Sequence, residues 1–312
     1  MKKLPVIKAD KWLNSRPLVQ EDVQEKIILV DFWSSTCLHC RRDVKYLRKW
    51  WQKYKDKGFL LLGIHVPKFD FEKDENYLNS SLKELGIEWP VVMDDDFVNW
   101  HNFENTRRPE RYISDIRGNI IYHQSGEGNY DEVEQIILGL LSAKNPDTSF
   151  PLRSNGKSEE DFCITHTPNL YCGYSRGGIV NREGYRLGRT IDYEKPRLIP
   201  DDSIGLSGKW RVGDEYLESV SDNAEVYLNF QAKEVNLIAS SAKEEVSAEI
   251  KIDDNIPIVG EAGKNLNLAG EVNIKSPSIY QILNSKKSKR STLKMLVRKG
   301  GVRIYSFSFY GC

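Results

Sequence analysis

Cysteine is scarce in this chain, at five in 312 residues. So few over that length exclude a small disulfide-stapled scaffold. An excess of either charge is also missing, with 45 Lys and Arg against 45 Asp and Glu. A neutral chain has no general attraction for nucleic acid or for an anionic membrane surface, so neither is an expected partner. No run of about 18 apolar residues occurs, which excludes a membrane-spanning helix. The start, Met1-Lys2-Lys3-Leu4-Pro5, is basic but lacks the apolar region of a secretory signal. The sequence as given is therefore expected in the cytoplasm, or outside it if a signal has been removed. Its length suggests about two domains.

What is present is one organising stretch. Ile27-Ile28-Leu29-Val30-Asp31-Phe32-Trp33 is nearly all apolar, as a parallel strand buried on both faces should be. Ser34-Ser35-Thr36 follows as a tight turn, then Cys37-Leu38-His39-Cys40 at a helix start. On a first helical turn this spacing brings both sulfurs to one side. The free N–H groups and partial positive charge of the helix N-terminus favour a thiolate on Cys37. A thiolate attacks disulfides, and a neighbouring cysteine resolves the mixed disulfide. The alternative is half a zinc site. That needs further Cys or His ligands at short spacing, and there is no second Cys-x-x-Cys. No metal and no cofactor beyond the cysteine pair is expected.

The flanking pattern predicts a βαβ unit. A helix is expected over 37–57, with Val44, Leu47, Trp51 and Tyr54 as its apolar stripe and Gly58 as its stop. A buried strand follows over 59–66. A helix over 74–85, a strand over 89–93 and a helix containing Val98, Trp100 and Phe103 come next. Asp94-Asp95-Asp96 reads as the cap of that last helix in preference to a cation site. A β-hairpin is expected over 111–114 and 120–123, and a terminal helix over 131–141.

Val30-Asp31-Phe32-Trp33 before Cys-x-x-Cys, with a later proline before a hairpin, resembles the thioredoxin superfamily. The likeness is to its TlpA-like, redoxin branch, and more narrowly to the soluble part of DipZ-type proteins. Tyr46-Leu47-Arg48-Lys49-Trp50, Gly63-Ile64-His65-Val66-Pro67-Lys68-Phe69, Phe71-Glu72-Lys73-Asp74 and Gly126-Glu127-Gly128-Asn129-Tyr130 carry the narrower match. The resemblance implies an attacking Cys37 and a resolving Cys40. It makes Asp31 the buried carboxylate that takes the proton of Cys40. Pro109 would be a cis-proline facing the cysteines, presenting the backbone of Arg108 to substrate. Trp33 would pack beside the site, and the imidazole of His39 would stabilise the Cys37 thiolate. Two departures stand out. The enclosed pair is Leu38-His39, and Lys45 occupies the place of the kinking proline, which implies a straighter helix.

Beyond the redox domain, expected over 1–141, composition shifts. Residues 142–205 read as a linker and packing segment rich in Ser, Lys, Asn, Asp and Pro. Cys163 and Cys172 are candidates to pair, although free thiols are expected in a reducing compartment. The glycines of Cys172-Gly173-Tyr174-Ser175-Arg176-Gly177 lack the lysine and strand–helix context of a phosphate loop. From 206 to 312 the pattern is all-β, with alternation at Val226, Leu228, Phe230, at Ala248, Ile250, Ile252, and at Leu293, Met295, Val297. An antiparallel, jelly-roll-like sandwich is expected. Lys286-Lys287-Ser288-Lys289-Arg290 reads as a hairpin tip, and Lys299-Gly300-Gly301 as the turn of a final hairpin. The resemblance extends weakly here and implies a carbohydrate-binding-module-like domain, with Trp210, Tyr216, Tyr280 and Tyr305 as candidates for stacking on a sugar.

The expected function is thiol–disulfide exchange with protein substrates, with a separate electron donor or acceptor and a glycan as a further candidate partner. A thiol peroxidase is a runner-up. Ser34 fits its hydroxyl position, but Val30 stands where its proline should be. A glycan- or protein-binding adaptor with a vestigial redox pair is the other alternative.

Overall fold

A computed structural model describes residues 2–144 and 166–311. The chain divides into two compact units, Met1–Ser158 and Glu159–Cys312. The first contains, in order, β1 (Trp12–Leu13), α1 (Gln20–Val23), β2 (Ile27–Trp33), α2 (Leu38–Tyr54), β3 (Phe59–His65), α3 (Glu75–Leu85), β4 (Val91–Met93), α4 (Val98–Asn102), β5 (Glu110–Ser114), β6 (Ile120–Ser125) and α5 (Tyr130–Lys144). The sheet order is β1-β4-β3-β2-β5-β6. Strands β2, β3 and β4 run parallel, while β5 and β6 form the expected antiparallel hairpin beside β2.

The near-continuous apolarity of β2 follows from burial on both faces. Ile27, Leu29 and Trp33 join the core shared with α2, α3 and α5, whereas Val30 and Phe32 pack with Phe103 and Tyr112 on the other side. Asp31 is in phase with the first set, so strand alternation sends its carboxylate to the α2 face. Helix α2 runs unbroken through Lys45 and passes into a short 3-10 turn at Lys55–Lys57. Gly58 ends it at φ 90°, a left-handed conformation that needs glycine. Asp94 caps α4 from three residues before its N-cap, accepting the Asn99 and Trp100 N–H groups at 2.9 and 2.8 Å.

The second unit holds β7 (Leu170–Tyr171), β8 (Thr190–Tyr193), β9 (Ser203–Val212), β10 (Leu217–Ser219), β11 (Ala224–Ser241), β12 (Val246–Ile252), β13 (Glu271–Ile274), β14 (Ser278–Val297) and β15 (Val302–Tyr310). They form one antiparallel hydrogen-bonded path, β13-β12-β14-β11-β15-β10-β9-β8, with β7 added to β15. Tyr193 and Ile274, from opposite ends of the path, share one core. The sheet therefore folds over on itself, and the long strands show how. Ala224 pairs with Val297, and Ser241 with Val302. The five-residue step from 297 to 302 spans at most about 18 Å. A straight strand from 224 to 241 would span about 56 Å. Strand β11 must bend back, and its register shifts near Ala232 and Val235 are where the pairing breaks to allow it.

Three expectations change here. Lys299-Gly300-Gly301 does not close a hairpin, because β14 and β15 lie on opposite edges of β11. The basic run 286–290 is not a hairpin tip. It lies inside β14 beside the register shift, with its charged side chains exposed. Of the segment expected as linker and packing, residues 166–205 contribute β7 and β8 to the sheet. The remaining linker residues 145–165 lie outside the described residues. So do Cys163 and Cys312, and with Cys163 its candidate pairing to Cys172. Cys172 itself is a buried free thiol. The glycines after it serve close packing: a Cβ on Gly173 would stand 2.1 Å from the backbone of Glu215.

Candidate active site

Cys37 and Cys40 are joined as a disulfide at the start of α2. Cys37 is the N-cap, and its sulfur accepts the Cys40 N–H at 3.2 Å. This is one of the orphan donors of a helix N-terminus, and after reduction it would stabilise a thiolate there. Cys37 is 8% exposed and Cys40 2%, so solvent reaches the first cysteine more readily. The site lies at the carboxyl end of β2, between the parallel β3 and the antiparallel β5, with helices packed on both faces of the sheet.

Three elements, β2, β5 and α2, bring buried charge together. Asp31 on β2 stands opposite Arg111 on β5 in the ladder, and Arg111 Nε donates to Asp31 Oδ1 at 3.2 Å. Asp43 lies one turn beyond Cys40 on the same face of α2. Its Oδ2 accepts a hydrogen bond from Arg111 Nη2, and its Oδ1 accepts the Tyr130 hydroxyl at 2.6 Å. All three charged residues are buried. Burial pushes the Asp31 carboxyl above the usual range, and the charge and hydrogen bond of Arg111 offset only part of this. Burial, with Glu127 adding, also raises the Tyr130 hydroxyl to about 12, so it remains a donor at neutral pH.

A second buried network shapes the turn before Cys37. Glu72, fully buried, accepts from Ser34 Oγ at 2.9 Å, Thr36 N at 3.1 Å, Lys68 N at 2.6 Å and the Thr36 hydroxyl. His65 Nε2 accepts the Ser35 N–H at 3.3 Å, and its ring meets Trp33 edge-to-face at 5.1 Å. Burial, then the charge of Arg108, lowers the His65 pKa to about 3, so the imidazole is neutral with its proton on Nδ1.

The Arg108–Pro109 bond is cis, and Pro109 O accepts the Gly126 N–H at 2.8 Å. The Arg108 guanidinium lies over Trp100, 4.4 Å from the ring centroid. His39, expected to act on the Cys37 sulfur, is bonded through Nδ1 to Glu127 Oε1 at 2.7 Å. Arg42 binds both oxygens of that carboxylate, at 2.9 and 3.0 Å. Burial alone would raise Glu127; the hydrogen bonds of His39 and Arg42 outweigh it and hold the carboxyl at about 2. The imidazole thus faces a full negative charge. Sequence reasoning missed Arg111, Asp43, Glu72, His65 and Glu127. Signals existed for the first two: the hairpin register that sets Arg111 opposite Asp31, and the helical spacing from Cys40 to Asp43.

The four aromatic residues proposed for sugar stacking do not form a platform. Trp210 is fully buried, its Nε1 bonded to Ser207 O at 3.0 Å. Tyr280 is buried, with its hydroxyl on Ser276 O at 2.8 Å. Tyr216 and Tyr305 meet edge-to-face at 5.5 Å, and the Arg303 guanidinium sits over the Tyr216 ring at 4.8 Å. A ring buried in a core has no face to offer a sugar. Among the described residues no group of three or more His, Cys, Asp or Glu is placed to hold a metal ion. None of the helices there is long and apolar enough to cross a membrane.

Comparison with known proteins extends this geometry. A family model described as the thioredoxin-like C-terminal domain matches residues 167–310. Protein DipZ of Mycobacterium tuberculosis is 26% identical over 308 residues, covering 96% of this chain and 41% of that protein. The chain thus spans less than half the length of this relative. The thiol-disulfide oxidoreductase YkuV of Bacillus subtilis is 25% identical over 140 residues, 45% of this chain and 94% of its own. A solved thioredoxin-like protein in the oxidised form is 25% identical at a TM-score of 0.42, covering 45% of this chain and 95% of that one. With the cysteine pair heading α2 and a likeness to DipZ over 96% of this chain, the chain is similar to the thioredoxin superfamily, on its redoxin branch.

Proposed function

We propose that this chain is a thiol–disulfide oxidoreductase acting on protein thiols and disulfides. The carrying observation is the Cys37–Cys40 disulfide at a helix N-terminus; the buried Asp31, on the strand that leads into it, supports the reading. In the reducing direction the Cys37 thiolate attacks a substrate disulfide. One substrate sulfur leaves with the electron pair of the broken bond and takes a proton, and Cys37 is left in a mixed disulfide. Cys40 then attacks the Cys37 sulfur, losing its proton to Asp31, and the second substrate sulfur leaves as a thiol. Two electrons pass from the cysteine pair to the substrate. A carboxyl raised by burial has a proton affinity closer to that of a thiol, which suits it to carry this proton either way. A second protein dithiol must restore the pair. Insulin reduction by the full chain, with dithiothreitol as electron source, tests the reading. The rate is expected to rise well above the dithiothreitol background; a rate equal to background would remove it.

A further inference from the structure

The polar group between α2 and β2, which includes Asp43 one turn beyond Cys40, holds two carboxylates and one guanidinium, all buried. Arg111 carries one positive charge, so it neutralises one of the two. In a buried site the other carboxylate is the one that protonates. The hydrogen bonds decide which. Asp43 accepts from Arg111 Nη2 on one oxygen and from the Tyr130 hydroxyl, at 2.6 Å, on the other. Asp31 receives the Arg111 Nε at 3.2 Å. Short charge-assisted bonds are the stronger ones, and a carboxylate satisfied on both oxygens keeps its charge.

We infer that Arg111 is a positioning residue: drawn to Asp43 and Tyr130, it leaves Asp31 as the carboxyl that exchanges the proton of Cys40. This rests on the disulfide-exchange reading above. The surroundings hold the assignment in place. Tyr46 of α2 stacks on Tyr130 at 3.5 Å and fixes the ring that donates to Asp43. Gln124 of β6 offers Oε1 to Arg111 Nη1 at 3.5 Å, while its Nε2 holds the carbonyls of Gly126 and Gly128 at 3.1 and 2.9 Å. Glu127, between those glycines, is occupied by His39 and Arg42. Tyr122 of β6 also feels the charge of Arg111, but its own hydroxyl bonds Glu132. Asp43 and Tyr130 are thus a fixed anchor, and Asp31 is the group free to change.

The test is a titration of the reduced full chain carrying carboxyl-labelled aspartate, read by carbon NMR. Asp31→Asn and Asp43→Asn assign the two signals. The Asp31 carbon is expected to titrate above the ordinary aspartate range, and the Asp43 carbon to stay ionised through neutral pH. Asp43→Asn frees Arg111 for Asp31, and the Asp31 midpoint should fall by about one to three pH units. Tyr130→Phe should move it the same way by less, without removing a charge, and serves if Asp43→Asn does not fold. The limb of the insulin-reduction pH profile that follows Asp31 should move with it. An Asp43 signal that titrates in place of Asp31, or an Asp31 midpoint unmoved in the folded variants, overturns the inference. The expected titrations in a chain that does not reduce insulin would instead overturn the proposed function and leave the charge assignment standing.

Discussion

Cys40→Ser should accumulate mixed disulfides with protein substrates, and Cys37→Ser should accumulate none. Two features set this asymmetry. The Cys37 sulfur caps α2 and accepts the Cys40 N–H at 3.2 Å, so the helix stabilises charge on Cys37. Cys37 is also 8% exposed against 2% for Cys40, so an incoming disulfide meets Cys37 first. Without Cys40 the mixed disulfide has no internal thiol to resolve it. Without Cys37 the remaining thiol lies beneath the surface, lacking the cap position. Turnover in both variants should drop to the assay background. Non-reducing gels after incubation with oxidised substrate read the trapped species, and equal trapping by the two would sink the assignment of roles.

Glu72→Ala should be the most damaging change away from the cysteines. Its carboxylate is fully buried and accepts the backbone N–H groups of Thr36 and Lys68 as well as the hydroxyls of Ser34 and Thr36. Truncation takes an acceptor from the Lys68 N–H and from the Ser34 and Thr36 hydroxyls, and leaves the Thr36 N–H only the Ser34 oxygen at 3.3 Å; each partner lost to a buried donor costs about 1–3 kcal/mol. A total loss of roughly 3–5 kcal/mol is expected, a large share of a domain's stability. The turn of Ser34, Ser35 and Thr36 would also lose the anchor that delivers Cys37 to the helix start, so insulin reduction should fall with stability. Glu72→Gln keeps an acceptor oxygen and should lose markedly less. Urea unfolding followed by tryptophan fluorescence reports on the first unit, which holds every tryptophan except Trp210. A Glu72→Ala midpoint matching wild type would show that the carboxylate does not hold the turn.

Strands β2 to β6 and helices α2 to α5 were legible because both faces of the sheet are covered, whereas the short β1 and α1 read only as an approach segment. Ile27–Trp33 reads as a buried strand on apolarity alone, and Gly58 and Gly86 mark helix ends through their left-handed backbone. The cysteine pair was legible from spacing. The charges were not. Glu72 sits between Phe71 and Lys73 and reads like any solvated acid, since its partners at Ser34 and Thr36 are 38 and 36 residues away. Asp43 among Arg41, Arg42 and Lys45 looks like a surface residue until α2 is laid on the sheet. In the second unit, alternation found the buried faces of β11, β12 and β14 but not their lengths. The break in β14 at Lys286-Lys287-Ser288-Lys289-Arg290 resembles a turn because a strand at a register shift can expose several charges in succession. The aromatic residues misled for a related reason. Composition shows that Trp210 and Tyr280 are present, but only tertiary packing tells a core ring from a displayed one.

Lys45 in α2 has a consequence for how the redox helix opens. A proline there would remove one amide from the ladder and leave the Arg41 carbonyl unpaired, dividing the helix into a short cysteine-bearing segment and a longer remainder. With lysine the ladder is continuous over 17 residues, a rod of about 25 Å. In hydrogen exchange, the amides beyond the first turn should therefore lose protection together, as one cooperative segment, when the disulfide is reduced and the helix is probed by mild denaturant. Two exchange classes dividing near residue 45 would contradict this. A helix that opens as a whole ties the survival of the Cys37 cap to the packing of Trp50 and Tyr54 at its far end, so substitutions there would reach the cysteines through the lifetime of the helix.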